Sequence, residues 1–154
     1  MKISKLIYGL ITCAFVGNAN AADITIFYAP TCPHCHHARD FISSTLIYEY
    51  GNLKVTEVNI MDSANTQDFV DALFKCGYKT GGVPVMVVGE KCFQGYADST
   101  QNELRTAIEV DLTDEQKSAA AANKASMAQN KDAFVAAHAD RKSAITEHVA
   151  AKKN

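Results

Sequence analysis

Apolar residues in the first part of the chain recur with two periods, one typical of strands and one typical of helices. Residues 24–28 form a short β-branched and aromatic run, which is typical of a buried strand. From Pro33 to about Tyr50 the apolar residues recur every three or four positions, which predicts a helix. A second strand is predicted from about Leu53 to Ile60. Because a helix joins these strands, we expect them to pair in parallel through a right-handed crossover.

A second helix and a β-hairpin follow. Asp62-Ser63 has the composition of a helix cap, and Gly77 is expected to end the helix behind it. The apolar face of this helix comprises four residues: Phe69, Val70, Leu73 and Phe74. Strands are predicted over residues 85–88 and 91–94, and the Gly89-Glu90 turn between them makes this pair antiparallel.

The last predicted helix of this region is capped by Asp98 or Ser99 and carries Leu104, Ile108 and Val110 on its apolar side. The order of elements is therefore strand, helix, strand, helix, strand, strand, helix. An α/β architecture with a mixed four-stranded sheet and helices on both faces satisfies this order.

The composition changes after Leu112 and predicts a helical extension. Thr113–Gln116 has the pattern of a capping box, and the residues that follow contain no glycine or proline and are rich in alanine. We therefore divide the chain after its leader into a domain over residues 22–112 and an extension over residues 113–154. Five residues fall on one narrow arc of this helix: Met127, Phe134, His138, Ile145 and Val149. We expect the arc to dock on the domain, with a dimerisation or substrate-docking arm as the alternative.

The first 21 residues have the order of a secretory signal peptide. Lys2 and Lys5 precede an apolar run over residues 6–16, and Ala19-Asn20-Ala21 supplies small residues before a cleavage site. The apolar run is shorter than the roughly 20 residues that cross a bilayer. We therefore expect cleavage after this leader and a periplasmic or secreted protein whose mature form has no membrane span.

Charge and cysteine content fit an exported protein. Loss of the two lysines of the leader changes the formal net charge from −2 to −4, which provides no basic surface for nucleic acid or anionic lipid. Cys13 also leaves with the leader. Four cysteines remain, namely Cys32, Cys35, Cys76 and Cys92, and an even number suits an oxidising compartment.

The strongest chemical motif is Cys32-Pro33-His34-Cys35, between a predicted buried strand and the first turn of a helix. The unpaired amides and the positive dipole end of a helix stabilise an anion. We therefore expect Cys32 to have a lowered pKa and to act as the nucleophile. Pro33 suits the first helical position, and a protonated His34 would stabilise the thiolate further. Cys35 lies one turn inside the helix and is expected to resolve mixed disulfides.

A second feature lies about fifty residues downstream, where Pro84 opens the third predicted strand. Together with the cysteine motif, the layout from Ile24 to about Val110 resembles the thioredoxin superfamily and is most similar to glutaredoxins. The pair Pro33-His34, and Val83 before Pro84, resemble the DsbA family of periplasmic disulfide oxidases. The resemblance implies a thioredoxin-like fold with the Ala-rich extension outside it.

The resemblance also implies roles for individual residues. Pro84 would be cis and lie against the cysteine pair, and the backbone of Val83 would pair with an extended substrate. Gly95–Ser99 resembles the glutathione-contacting turn of glutaredoxins, which implies a substrate-binding role for Asp98. The implied partners are protein thiols and disulfides, with glutathione as a further candidate, and no cofactor is implied.

The favoured function is an exported thiol–disulfide oxidoreductase that donates disulfides to protein substrates or exchanges them. One alternative is a glutathione-dependent reductase of the glutaredoxin type. Another is a haem-binding module, because Cys32–His36 matches the pattern of c-type haem attachment. A third is a zinc or copper module built on the two thiols with His34, His36 and His37. We expect no metal, because His36 and His37 point in different directions on a helix.

Cys76 and Cys92 are expected to form a structural disulfide, with two free thiols as the alternative. Fifteen residues separate them, and they lie at the end of one predicted helix and the start of a strand. A cross-link of this length stabilises a fold by roughly 3 kcal/mol. We expect the bond at the end of the sheet that lies away from the redox motif.

Overall fold

The computed structural model describes residues 23–150. The signal peptide predicted over residues 1–21 lies outside the described residues and stays a prediction. Residues 151–154 of the extension lie outside them as well.

A mixed five-stranded sheet forms the centre of the molecule, with the strand order β4-β3-β1-β2-β5. The strands are β1 (Asp23–Tyr28), β2 (Lys54–Asn59), β3 (Val85–Val88), β4 (Lys91–Gln94) and β5 (Ile145–Glu147). Strand β1 pairs in parallel with β2 and antiparallel with β3. Strand β4 is antiparallel to β3, and β5 is parallel to β2. We call the edge at which β1 and β2 end and β3 begins the upper edge of the sheet.

Within residues 23–150, six α-helices surround the sheet. They are α1 (Pro33–Phe41), α2 (Ile47–Glu49), α3 (Thr66–Cys76), α4 (Asp98–Glu109), α5 (Asp114–Gln129) and α6 (Lys131–Ala137). A π-helical segment, Ile42–Leu46, joins α1 to α2, and 3₁₀ turns cover Ser63–Asn65 and Ala139–Ala144. The long helix predicted from Pro33 to about Tyr50 is thus confirmed as one helical stretch with a wider turn in its middle. Within residues 23–150, every helix is too short or too polar to cross a membrane.

The alternation of side chains along the strands creates a core on each face of the sheet. On one face, Ile24 and Ile26 of β1 are fully buried under α1, α2 and α4. On the other face, Phe27 packs against α3, with its ring centroid 5.6 Å from that of Phe69. The first face holds the larger core, because α1, α2, α4 and part of the extension cover it. Helices on both faces of a β4-β3-β1-β2 sheet define the thioredoxin-like α/β fold.

The expectation of four strands and a wholly helical extension is corrected by β5. Residues 145–147 are extended and pair with β2 from Val55 to Glu57. The edge of β2 otherwise exposes unpaired amide and carbonyl groups, and the β-branched Ile145-Thr146 pair suits a strand that covers them. The long helix also breaks at Asn130, whose side chain accepts a hydrogen bond from the Ala133 amide at 3.1 Å and begins α6.

The arc predicted on the extension is therefore only partly correct. Met127 is buried in the main core, and Phe134 and Ile145 pack partly against it. Val149 is 83% exposed, because the helical period that placed it on the arc does not continue past α6. His138 is exposed too. The extension nevertheless docks on its own domain, as expected.

Two smaller expectations also need correction. On α3, Phe69 and Leu73 face the sheet, whereas Val70 and Phe74 face outward, with Phe74 88% exposed. The predicted apolar face was wider than the narrow sheet area that α3 covers. On α4 the cap is Ala97 rather than Asp98 or Ser99, and its amide donates to the Thr100 hydroxyl.

Candidate active site

The motif Cys32-Pro33-His34-Cys35 lies at the upper edge, directly after β1. The Cys32 amide donates to the Ala29 carbonyl at 3.1 Å and closes a tight turn at the end of the strand. Cys32 is the N-cap of α1, and the Cys35 amide donates to the Cys32 Sγ atom at 3.2 Å. The sulfur therefore occupies the position of a helix-capping oxygen and shares the Cys35 amide with the Cys32 carbonyl, which lies 3.1 Å from that nitrogen. Pro33 occupies the first helical turn, where no amide hydrogen is needed.

Cys32 and Cys35 are joined as a disulfide, with their Cα atoms 5.2 Å apart. Their surroundings differ, because Cys35 is 1% exposed while Cys32 is half-buried. An incoming thiolate therefore has access to the Cys32 sulfur and not to that of Cys35. This asymmetry agrees with the roles that the sequence predicts for the two residues.

The second feature of the site is the Val83–Pro84 peptide bond, which is cis, as the resemblance implied. Pro84 is buried and Val83 half-buried. The carbonyl oxygen of Val83 lies 3.6 Å from the Cys32 Sγ atom. The structure thus brings Cys32, Cys35, Val83 and Pro84 together, although Val83 follows Cys32 by 51 positions.

The loop before Pro84 is tied to β4 by a residue that sequence reasoning missed. The side-chain amide of Gln94 donates to the carbonyls of Thr80 at 2.8 Å and Gly82 at 3.0 Å. The Gly95 amide donates to the Pro84 carbonyl at 2.8 Å. A single glutamine at the end of a predicted edge strand carries no sequence pattern that points to a distant loop.

The three histidines near the cysteines have different surroundings. His36 places a ring nitrogen 2.7 Å from the Pro30 carbonyl. Since a carbonyl only accepts, this nitrogen donates, and the ring braces the turn before Cys32. His34 and His37 are exposed on α1. Within residues 23–150, no group of three or more His, Cys, Asp and Glu side chains is arranged to hold a metal ion.

Asp98, the residue implied in glutathione binding, lies in the first turn of α4 beside α1. It lines a shallow depression of about 370 Å³ with His37, Asp40 and Tyr96 among its neighbours. Neither Cys32 nor Cys35 lines this depression. The structure therefore places Asp98 next to α1 but not next to the sulfur atoms of Cys32 and Cys35.

The other two cysteines, Cys76 and Cys92, are joined as a disulfide, the pairing that the sequence favours, with Cα atoms 5.8 Å apart. The bond links the last residue of α3 to β4. Cys92 pairs with Val87, near the hairpin end of β3 and β4, and this end is opposite the upper edge. The bond thus lies at the end of the sheet away from the redox site, as the sequence predicts.

A buried ion pair fixes α1, the helix that carries the redox cysteines, to β2. The Arg39 guanidinium donates to both oxygens of the Glu57 carboxylate, at 2.9 and 2.6 Å, and lies 4.0 Å above the Tyr28 ring. The Glu57 carboxylate raises the pKa of Arg39 above its ordinary value. The Tyr28 hydroxyl donates to Glu147 of β5 at 2.9 Å. Sequence reasoning did not single out Glu57. The signal that could have identified it is an acidic side chain at a position of β2 that the strand alternation turns toward the core.

No protein-family model and no curated protein matches this chain. The solved structures that resemble it include a glutaredoxin and a putative thioredoxin. A glutaredoxin from Archaeoglobus fulgidus is 22% identical, with a TM-score of 0.42 and coverage of 55% of this chain and 86% of that one. A putative thioredoxin from Neisseria meningitidis is 20% identical, with a TM-score of 0.39 and coverage of 60% and 78%. The strand order, with helices on both faces of the sheet, gives this chain a thioredoxin-like fold in which the cysteine pair follows β1.

Proposed function

We propose that this protein is an exported thiol–disulfide oxidoreductase that donates its Cys32–Cys35 disulfide to protein substrates. The observation that carries the proposal is the accessible Cys32 sulfur at the N-terminus of α1, paired with a buried Cys35 and 3.6 Å from the Val83 carbonyl. Protein substrates would be periplasmic or secreted, because the leader over residues 1–21 has the order of a signal peptide.

The number of disulfide bonds stays constant in this reaction, because each step breaks one and forms one. A substrate thiolate attacks the Cys32 sulfur, the Cys32–Cys35 bond breaks, and its electron pair goes to the Cys35 sulfur, which takes up a proton. A second substrate thiolate then attacks the substrate sulfur of the mixed disulfide, and Cys32 leaves as a thiolate. The substrate loses two electrons and the cysteine pair gains them.

The oxidising direction is favoured by whatever stabilises the departing Cys32 thiolate. The Cys35 amide points at this sulfur from 3.2 Å, and the positive end of the α1 dipole lies at the same place. His34 is the second residue of the helix and adds a positive charge when it is protonated. Stabilisation of the reduced form raises the reduction potential of the pair.

The reduction potential of the Cys32–Cys35 pair tests the proposal. Strong oxidants of this chemistry lie near −120 mV and thioredoxin lies near −270 mV, and we expect about −150 to −200 mV here. His34→Tyr should lower this value, because tyrosine cannot carry a positive charge, while His37→Tyr on the same helix serves as the control. Equilibration with glutathione buffers measures all three. A wild-type value below about −240 mV, or no effect of His34→Tyr, would overturn the oxidant assignment.

A glutathione-dependent reductase is the second candidate. It is favoured by the depression that Asp98 and His37 line beside the redox helix. In this case the pair would be reducing in the same titration, and Asp98→Ala would slow its reduction by glutathione. An oxidising pair whose rate with glutathione does not depend on Asp98 removes this candidate.

A further inference from the structure

The loop over residues 79–83, which precedes Pro84, contains little that would hold it in place by itself. Residues 79–82 are exposed, and two of them are glycines, which have unusual backbone freedom. The loop nevertheless ends on Val83, whose carbonyl faces the reactive sulfur of Cys32. The position of this carbonyl therefore depends on what immobilises the loop.

Gln94 supplies that constraint from the sheet. Its backbone belongs to β4, where it pairs with Val85, so its position is set by the hydrogen-bonded ladder. Its side-chain nitrogen has two hydrogens, and each reaches one carbonyl of the loop, that of Thr80 and that of Gly82. Among the described residues these carbonyls receive no other hydrogen bond. One primary amide thus connects the loop to β4 at two points.

The bond to Gly82 lies directly beside Val83. The hydrogen bond from Gln94 holds the Gly82 carbonyl. It therefore fixes the orientation of the peptide unit that joins Gly82 to Val83. The Val83 amide has no backbone partner among the described residues, and its side chain is half-buried. This backbone is therefore free to pair with an extended polypeptide, which supplies its own amide and carbonyl groups.

We infer that Gln94 is a positioning residue that holds the 79–83 loop ready for an extended polypeptide substrate, and so makes protein disulfide exchange more efficient than exchange with small molecules. This inference rests on the proposed function. Gln94 does not contact the sulfur atoms, so it acts only through the loop. A small disulfide has no polypeptide backbone that could pair with the loop, so its reaction rate should not depend on the order of the loop.

The test compares Gln94→Met, which removes the amide, and Gln94→Glu, which places carboxylate oxygens against the two carbonyls. Each variant is assayed for turnover of a reduced dithiol peptide, with glutathione disulfide as the oxidant that regenerates the Cys32–Cys35 bond. The reduced form of each variant is assayed separately with a small aromatic disulfide. We expect KM for the peptide to rise about tenfold, the effect of losing one or two net hydrogen bonds. The kcat for the peptide and the rate with the small disulfide should stay unchanged. Gln129→Glu, on an exposed residue of α5, is the control for charge.

Equal losses with the peptide and the small disulfide, or an unchanged KM for the peptide, would overturn the inference. Failure of the wild type with both substrates would instead refute the proposed function. Hydrogen exchange of the amides over residues 80–83 gives a readout that does not depend on activity. We expect faster exchange in Gln94→Met than in the wild type, and identical exchange would also overturn the inference.

Discussion

Cys32 and Cys35 are three positions apart, yet their sulfur atoms have different surroundings. The helix begins between them, so Cys32 caps it from outside while Cys35 points into the core. The cap position combines partial exposure with a backbone amide that points at the sulfur, and the core position combines burial with distance from the surface. One turn of helix therefore leaves the Cys32 sulfur accessible and buries that of Cys35.

Tyr50 shows how burial creates a pH dependence at a single residue. Its hydroxyl donates to a Glu109 oxygen at 2.7 Å, and its ring is 3% exposed. Burial, followed by the hydrogen bond to Glu109, raises the pKa of Tyr50 well above its ordinary value. The folded protein therefore keeps the tyrosine neutral at a pH where the unfolded chain ionises it.

We predict that the free energy of unfolding falls above pH 10 and that Tyr50→Phe weakens this fall. A raised folded-state pKa gives stability that is complete below the unfolded pKa of about 10 and declines as the pH rises toward the folded value. The slope is about 1.4 kcal/mol per pH unit for one such group. Denaturant titrations from pH 7 to 11.5 measure it. Identical slopes for the variant and the wild type would contradict the role of Tyr50.

At the scale of elements, the extension is held to the domain by a half-buried arginine. Arg141 lies in the 3₁₀ turn before β5 and donates to the carbonyls of Ile47, Tyr50 and Leu53 at 2.9, 3.2 and 2.8 Å. These carbonyls belong to α2 and the turn into β2, and that of Tyr50 also receives the Leu53 amide at 3.0 Å. Burial lowers the pKa of Arg141, but a guanidinium stays charged. One side chain thus satisfies three backbone groups.

We predict that Arg141→Met lowers the free energy of unfolding by about 2–3 kcal/mol, because it leaves buried carbonyls without donors. The adjacent Lys142 is exposed, and Lys142→Met should change the stability by less than about 0.5 kcal/mol. Arg141→Lys should restore only part of the loss, since an ammonium group lacks the planar fork of donors. Urea denaturation measures all three variants. Similar small effects of Arg141→Met and Lys142→Met would refute this role.

For the whole molecule, the two disulfides occupy opposite ends of the sheet and opposite ends of a helix. Cys32 caps the N-terminus of α1 at the upper edge, whereas Cys76 is the last residue of α3 at the hairpin end. A helix dipole stabilises a thiolate at its N-terminus and destabilises one at its C-terminus, so the first bond is the easier of the two to reduce. The second bond can stabilise the fold while the first is reduced and formed again.

We predict that protein recovered from the exported fraction of expressing cells begins at Ala22, and that its Cys76–Cys92 bond survives gentle reduction of Cys32–Cys35. The first expectation follows from the small residues at positions 19 and 21, and the second from the opposite helix ends at which Cys32 and Cys76 lie. Mass spectrometry and peptide mapping measure both, with Cys76→Ala as the control for the linked peptide. An intact Met1 would contradict export, and a free Cys92 thiol would contradict a structural bond.

Local patterns were sufficient to predict most of the elements, because short-range periodicity and caps act within a few residues. Gly77 ends α3 in the left-handed conformation with φ of 69°, and Thr113 caps α5 through its hydroxyl, as their positions predicted. The cysteine pair could be placed at a helix N-terminus for the same reason. Contacts between distant segments left no such pattern, and Gln94 and Arg141 are the clearest cases.

The sequence by itself determined the order of the first seven elements and the helix N-terminus at Cys32. These depend on hydrophobic period, proline and glycine positions and the helix dipole, all of which are local properties. Tertiary structure alone decided that Ile145–Glu147 becomes a fifth strand, because only the open edge of β2 makes an extended conformation favourable there. It also decided the contact between Gln94 and the loop before Pro84, since this contact exists only after β4 pairs with β3.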